Sequence, residues 1–368
     1  MKFLEKPTDS KLYDYKDIQI VSTLDKHQES RTSTKVISKE LDIPSRSIRY
    51  RIAKLKASNI LQEKSIITHE RKLGIREHFF IIEENPIYRD KFQEILSNNP
   101  AFSWYVPSSG KYNGFLVHAL NEMKAPNYPL LVMEKMKEKK IIIDFYHFEL
   151  VDYQEIGWNY DFFSCEGNWT WDWNLWEESI KKGKIDHKKD FTFEENPPLT
   201  NLDYLDIQIL KYLYLPENIT QKELGKKLDF SESQISRRIK SMEQNGIIRG
   251  YRTGFKPFTN VYLVLCVIET KNNMKKILDY LYQIPYPKTV AYKNSTTICL
   301  GIEIPSEELK GLLNGLHLLH PKIDNYFFQI YLKDPIFNVQ NSFDLFDQES
   351  NSWLNLVKEY EKTIKEYF

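Results

Sequence analysis

The chain of 368 residues has little glycine, few cysteines and no net charge. Its 13 glycines argue against a nucleotide-binding scaffold built on glycine-rich loops. No apolar run approaches the roughly 18 residues that cross a bilayer, and the first residues lack the apolar core of a signal peptide. We therefore expect a soluble, cytoplasmic protein with no membrane partner.

The cysteines, Cys165, Cys266 and Cys299, are far apart in the sequence. They match neither the short spacing of metal ligands nor an obvious disulfide framework. We expect them to be small buried apolar side chains, and the sequence predicts no metal and no cofactor. The 41% apolar fraction suffices for buried cores, and the length predicts two or three domains.

One segment of the chain occurs twice. Residues 14–20 read DYKDIQI and residues 203–209 read DYLDIQI, so only the third position differs. A repeat at about half of the chain length indicates an internal duplication. A duplicated module can present two equivalent helices from one polypeptide.

The first copy predicts three helices, at residues 14–24, 34–41 and 45–58, with a break at Pro44. Two short extended segments, 60–64 and 65–68, would then form a wing hairpin. This arrangement is typical of a winged helix-turn-helix domain.

The second copy carries clearer helix signals. A first helix is expected at residues 204–214, and Thr220 with Glu223 and Ser231 with Gln234 form two capping boxes that start the next two helices. Gly246 suits the position just after the third helix. Residues 250–252 suit a hairpin turn.

Each helical unit precedes the pattern βαββαβ, which is typical of a ferredoxin-like module. The predicted fold class is α+β, with two winged helix-turn-helix domains that are each followed by such a module. The expected boundaries are 11–72 and 200–256 for the helical domains, 73–152 and 257–335 for the modules, 153–199 for a Trp-rich segment and linker, and 336–368 for a C-terminal extension with an amphipathic helix.

We expect the two extensions to lie outside the duplication. The tryptophans of the first suit either an aromatic ligand pocket or core packing between the halves of the molecule: Trp158, Trp169, Trp171, Trp173 and Trp176. In the second, Trp353, Val357, Tyr360 and Ile364 have the spacing of one apolar helix face.

A winged helix-turn-helix joined to a βαββαβ module resembles the Lrp/AsnC family of transcription regulators. Residues 202–210 look like the family's first helix, residues 231–240 like its recognition helix and residues 245–251 like its wing. The resemblance implies RAM-type ferredoxin-like modules, double-stranded DNA as partner and a location at the nucleoid. It also implies an intramolecular pseudo-dimer, and it leaves open a small-molecule effector and further homo-oligomers.

The third helix of each copy has one apolar face and one polar face. Ile48, Ile52 and Leu55 share the inner face of the first, and Ile235, Ile239 and Met242 that of the second. Arginine, glutamine and serine can bond base edges, while lysines and wing arginines suit phosphates. The predicted DNA-binding residues are Arg46, Ser47, Arg49, Tyr50, Lys54, Ser233, Gln234, Arg237, Arg238, Lys240, Arg249 and Arg252.

Two arginines allow a second interpretation. Arg51 and Arg238 occupy the same register in the two copies, as Asp17 and Asp206 do in the first helices. An ion pair that holds helix three to helix one is therefore at least as good an explanation as a base contact.

The sequence supports three functions on this fold. The first is a sequence-specific DNA-binding regulator whose reading helices enter successive major grooves, about 34–36 Å apart, and prefer two unlike half-sites. The second is an enzyme resembling the siroheme decarboxylases, for which His118, His147 and Arg76 are the candidate side chains, although a lone strand histidine is usually structural. The third is a metabolite sensor.

Overall fold

The first copy opens with three helices and a strand. The computed structural model describes residues 12–26, 33–165, 169–185, 190–215, 219–339 and 341–368. The first elements are α1 (Tyr15–Lys26), α2 (Thr34–Leu41), α3 (Ser45–Ala57) and β1 (Leu61–Thr68). Asp14 and Asp17 exchange side-chain to backbone hydrogen bonds of 3.0 Å at the start of α1, which satisfies two amides that the helix leaves unpaired.

The first α/β module and its extension follow. The module consists of β2 (Ile75–Glu84), α4 (Arg89–Ser97), β3 (Trp104–Gly110), β4 (Gly114–Glu122), α5 (Tyr128–Glu138) and β5 (Ile142–Leu150). The extension contributes β6 (Asp152–Ile156) and α6 (Trp173–Lys182).

The second copy repeats this order. Its helical unit is α7 (Tyr204–Tyr214), α8 (Gln221–Leu228), α9 (Glu232–Gln244) and β7 (Ile248–Phe255). Its module is β8 (Val261–Glu269), α10 (Met274–Gln283), β9 (Lys288–Asn294), β10 (Thr297–Pro305), α11 (Leu309–Leu318) and β11 (Asn325–Tyr331), and its extension is β12 (Ile336–Phe337) and α12 (Leu354–Tyr367).

The predicted helix signals of the second copy are confirmed. Both capping boxes, Thr220 with Glu223 and Ser231 with Gln234, are formed. Gly246 follows α9 with a φ of 66°, in the left-handed region that glycine adopts without strain. In the first copy Asn59 has a φ of 56° after α3, so an asparagine stands where the second copy has Gly246.

Both modules have the strand order of a ferredoxin-like fold, and they share one sheet. The order is β5-β2-β4-β3-β11-β8-β10-β9-β6, with β12 paired to β3. The modules join where β3 pairs with β11, at Gly110 opposite Gln329. At the other end, Val151 donates its amide to Tyr292 of β9 at 2.8 Å. The outer strand of the second module, β9, is thereby bonded to the chain that directly follows β5, the outer strand of the first module.

The wings differ from the expected hairpins. β1 is one continuous strand, and it pairs antiparallel with β7 from the second copy, with Ile66 opposite Tyr251. Each wing strand therefore takes its partner from the other copy. We call this two-stranded element the wing ribbon. It ties the two helical units together.

The extensions correct the expectation that they lie outside the duplication. Each has a short 3-10 turn that is capped by the asparagine before it, Asn159 or Asn341, whose side chain accepts from the amide of the second residue of the turn. An isolated β-bridge and a helix follow. α6 packs on α11 of the second module, and α12 packs on β4 and α5 of the first. Each extension thus covers the module of the other copy.

One tryptophan of each extension is a core residue. Trp176 is 2% exposed and donates its indole N–H to the Tyr280 carbonyl at 3.0 Å. Trp353 is 3% exposed and donates to the Leu73 carbonyl at 2.7 Å. Cys266 and Cys299 are buried as expected, whereas Cys165 is exposed, which corrects that expectation. No helix among the described residues is both long and apolar enough to cross a membrane.

Candidate nucleic-acid interface

A matched arginine holds each third helix to its first helix. Arg51 of α3 donates to Asp14 at 2.8 Å and to Asp17 at 2.8 Å. The hydrogen bond with Asp17 raises the pKa of the Arg51 guanidinium. Because Asp17 is 1% exposed, removal of Arg51 would leave a buried carboxylate without its ion-pair partner.

The second copy repeats the arrangement with the same register. Arg238 of α9 donates to Asp203 at 2.9 Å and to Asp206 at 2.7 Å. Of the two interpretations of Arg238, the structure thus shows the ion pair, and we leave Arg238 out of the reading surface. The sequence reasoning missed Asp14 and Asp203, although both stand at the first position of the repeated heptapeptide.

The outer face of α3 has no such ion pair with any residue that the structure describes. Ile48 and Leu55 are buried and point inward, because residues three to four apart share one helix face. Tyr50 is 72% exposed. The remaining predicted contacts on this helix are exposed as well: Arg46, Ser47, Arg49 and Lys54.

The outer face of α9 is exposed but differs in chemistry. Ser233, Arg237 and Lys240 are exposed. Gln234 is exposed too, but its side-chain oxygen accepts from the Ser231 amide at 2.9 Å and from the Ser231 hydroxyl at 2.7 Å. A bidentate bond to adenine needs both that oxygen and the amide nitrogen. While the cap is formed, Gln234 can therefore offer only its N–H donors.

Both wing arginines are paired with acids of β6. Arg249 forms an ion pair of 2.5 Å with Asp152, which is 2% exposed. Arg252 bonds Glu155 at 2.8 Å and Ser65 at 3.1 Å. Both partner acids lie on β6 beside the wing ribbon. This corrects the expectation of a hairpin with free arginines, because each arginine has an acid of the extension as its partner.

The histidine and arginine candidates for an enzyme are engaged within the first module. His118 contacts Ser103 at 2.6 Å and Glu77 at 3.0 Å. The Arg76 guanidinium bonds the backbone carbonyls of Glu122 and Ala125.

His147 lies on the neighbouring strand against His78, with their ring nitrogens 2.9 Å apart. Burial lowers the pKa of His147 to about 4, helped by the charge of Lys293, so the ring is neutral at physiological pH. The cavity that adjoins Glu77 has a volume of about 10 Å³, which is room for about one water.

The chain is similar to known regulators of transcription. A family model described as winged helix-turn-helix DNA-binding matches residues 202–249. The HTH-type transcriptional regulator LrpB of Bacillus subtilis (strain 168) is 31% identical over 150 residues, which cover 36% of this chain and 87% of the relative. LrpC of the same organism is 24% identical over 123 residues, which cover 33% of this chain and 85% of the relative.

Among solved structures, the siroheme decarboxylase NirDL matches with a TM-score of 0.58 at 12% identity, covering 95% of this chain and 98% of that one. At this identity the likeness is one of fold alone. The LrpB match, by contrast, covers 87% of LrpB with only 36% of this chain. The chain belongs to the Lrp/AsnC family of helix-turn-helix transcription regulators, in an internally duplicated form.

Proposed function

We propose that this chain is a sequence-specific DNA-binding regulator whose two reading helices, α3 and α9, dock in successive major grooves of one duplex. The observation that carries the proposal is the matched pair of arginine clamps, Arg51 on Asp17 and Arg238 on Asp206. The clamps fix both third helices by their inner faces and leave the outer faces exposed. Such a protein acts at the nucleoid in the cytoplasm.

The wing ribbon supports a fixed relation between the two helices. β1 directly follows α3, and β7 directly follows α9, so the pairing of β1 with β7 limits how far the reading helices can move apart. Operators read by two linked helices need a defined spacing between half-sites. We therefore expect one preferred half-site spacing.

The half-sites are expected to differ. With Arg51 and Arg238 as matching positions, Arg46 corresponds to Ser233 and Tyr50 corresponds to Arg237. The two faces thus offer different donors at equivalent positions, and base edges in the major groove are read by such donors. The proposed reading residues are Arg46, Ser47, Arg49, Tyr50, Lys54, Ser233, Gln234, Arg237 and Lys240.

Binding to DNA upstream of the chain's own gene, titrated with salt, tests the proposal. Affinity should fall steeply as salt rises, because each phosphate that is neutralised releases counterions. Arg46→Ala and Arg237→Ala should each weaken binding, whereas Lys310→Ala, an exposed change on α11, should not. Equal affinity for all three variants and the parent chain would count against the proposal.

An enzyme on this fold is the second candidate, and it is tested by adding an iron tetrapyrrole and recording the visible spectrum. We expect no spectral change, because His118, His147 and Arg76 contact protein groups rather than a cavity. A shifted absorption band that His147→Phe abolishes would favour the enzyme.

A further inference from the structure

Two cavities occupy matching places in the two halves of the molecule. Ile75 and Val261 are the first residues of β2 and β8, and Leu150 and Tyr331 are the last residues of β5 and β11. Ile75 and Leu150 line the first cavity, and Val261 and Tyr331 line the second. The wing ribbon fixes the register before these strands, because the His69 amide bonds the Ile247 carbonyl and the Lys256 amide bonds the Ile60 carbonyl. Followed along the chain from these positions, each residue that lines the first cavity has a counterpart in the lining of the second.

The two cavities differ greatly in size. The first has a volume of about 10 Å³ and the second, which we call the groove, about 400 Å³. Small-molecule sites in proteins typically measure about 300–1,000 Å³. The space at this position is thus almost filled in the first copy and open in the second. The duplicated fold therefore does not by itself require a groove here.

The chain after the last module strand explains the difference. In the first copy β6 continues the sheet from Asp152, and Tyr153 fills the space and donates its hydroxyl to the Thr68 carbonyl at 3.1 Å. In the second copy the counterpart of Tyr153 is Asp334, and the chain rejoins the sheet only at Ile336. Residues 332–335 thus form one wall of the groove.

The walls differ in chemistry as well. Arg71 and Glu77 in the first cavity correspond to Phe258 and Leu263 in the groove. Trp158, from the extension of the first copy, adds a further aromatic wall. The groove therefore has apolar and aromatic surfaces where its counterpart has charged ones.

The ion pair of Asp152 with Arg249 joins β6 of the first copy to β7 of the second beside the first cavity, and it has no equivalent among the described residues of the groove. The counterparts of Asp152 and Arg249 are Lys333 and the neutral Gln62. Lys256, the counterpart of His69, is the second cation of the lining. Among the described residues, neither lysine has a carboxylate within 4.0 Å, and both are exposed.

Two acids complete the charged lining. Glu303 and Asp334 are exposed at the groove, and no ion pair within the described part of the chain includes them. The lysines and acids are thus separate, unneutralised charges around an aromatic interior.

We infer that the groove is a binding site for a small aromatic or apolar organic anion, whose ring system lies against Trp158, Phe258 and Leu263 and whose negative group meets Lys256 and Lys333. The apolar surface supplies affinity through burial, and the two lysines supply positive charge for the anion. This site is independent of the reading helices and of their DNA.

The test uses the full chain and the fluorescent aromatic sulfonate 1-anilinonaphthalene-8-sulfonate. We expect one saturable site per chain, with weaker binding of the neutral analogue N-phenyl-1-naphthylamine. Asp334→Tyr, which copies the residue that fills the first cavity, should abolish the site, as should Leu263→Glu. Unchanged thermal unfolding of Asp334→Tyr shows that the loss is not one of folding.

The charge requirement is tested separately. Changing both Lys256 and Lys333 to Gln should weaken the binding of the sulfonate by about two- to thirtyfold, as expected for the loss of two exposed charge pairs, and should leave the binding of the neutral analogue unchanged. Lys310→Gln is the matched control and should change neither. Binding that survives Asp334→Tyr and Leu263→Glu would overturn the site, and equal loss of both probes would overturn the anion assignment.

Discussion

Arg51 of α3 donates to the carboxylate of Asp17 on α1 at 2.8 Å, and Asp17 is 1% exposed. Arg238 and Asp206 repeat the contact at 2.7 Å in the second copy. The same pair of side chains thus orients each reading helix against its own domain. Each of the two ion pairs is a contact within the fold rather than a contact with DNA.

Replacement of Arg51 by Met should therefore destabilise the protein. It leaves the buried Asp17 carboxylate without its partner, which costs about 2–4 kcal/mol. Arg238→Met should cost less, because the Asp206 side chain is 13% exposed. Thermal unfolding measures both changes. Lys54→Met is the control on the outer face of α3 and should stay within about 0.5 kcal/mol of the parent chain. Full stability of Arg51→Met would contradict the clamp.

The wing arginines should contribute little to the salt dependence of DNA binding. Arg252 is already bonded to Glu155 and Ser65, so Arg252→Ala should leave the slope of log affinity against log salt unchanged. Lys54→Ala should reduce that slope by about one if Lys54 meets a phosphate. Equal reductions in the two variants would show that Arg252 leaves Glu155 when DNA binds.

Acid should destabilise the first module. Burial lowers the pKa of His147 to about 4, and burial together with His147 lowers the pKa of His78. In the unfolded chain a histidine has a pKa near 6.5, so between about pH 6.5 and 4 the unfolded state binds more protons than the folded state. These two histidines therefore leave the free energy of unfolding unchanged above about pH 6.5, and they lower it as the pH falls through this window.

His147→Phe tests this assignment, since Phe can keep the stacking on Phe80, whose ring lies 4.8 Å away. The variant should lose part of the fall in stability between pH 6.5 and 4, measured by urea unfolding at several pH values. His317→Phe, an exposed change on α11, should keep the profile of the parent chain. An unchanged profile in His147→Phe would assign the acid sensitivity to other groups.

The joint between the modules should depend on Gly110. A Cβ at this position would lie 2.1 Å from the Phe328 carbonyl oxygen, so Gly110→Ala must displace β3 from β11. We expect a loss of about 1–3 kcal/mol in unfolding free energy. Gly301→Ala is the control, because its nearest neighbour is a flexible Leu265 side-chain atom at 3.3 Å. Equal stability of the two variants would contradict a tight joint.

Local sequence signals predicted much of the fold. The capping boxes of α8 and α9 and the position of Gly246 depend on residues a few places apart, and they were correct. The predicted order βαββαβ is present in both modules. These features are set by neighbours in the chain, which the sequence displays directly.

The interface was harder to predict because its partners are distant in sequence. Nothing near β1 indicates that Ile66 lies opposite Tyr251, so two separate hairpins were expected. For the same reason Arg249 and Arg252 were assigned to phosphates, although Asp152 and Glu155 of β6 hold them. The correspondence of the extensions was also missed, because Asn159 and Asn341 match in otherwise different sequences.

The most direct test of the central claim is footprinting of one chain on an operator, together with affinities for operators in which one half-site is altered at a time. We predict protection of two unlike half-sites one helical turn apart. Arg46→Ala should remove discrimination in one half-site only, and Arg237→Ala in the other only. Protection of a perfect palindrome, or loss of discrimination in both half-sites from either variant, would contradict the account.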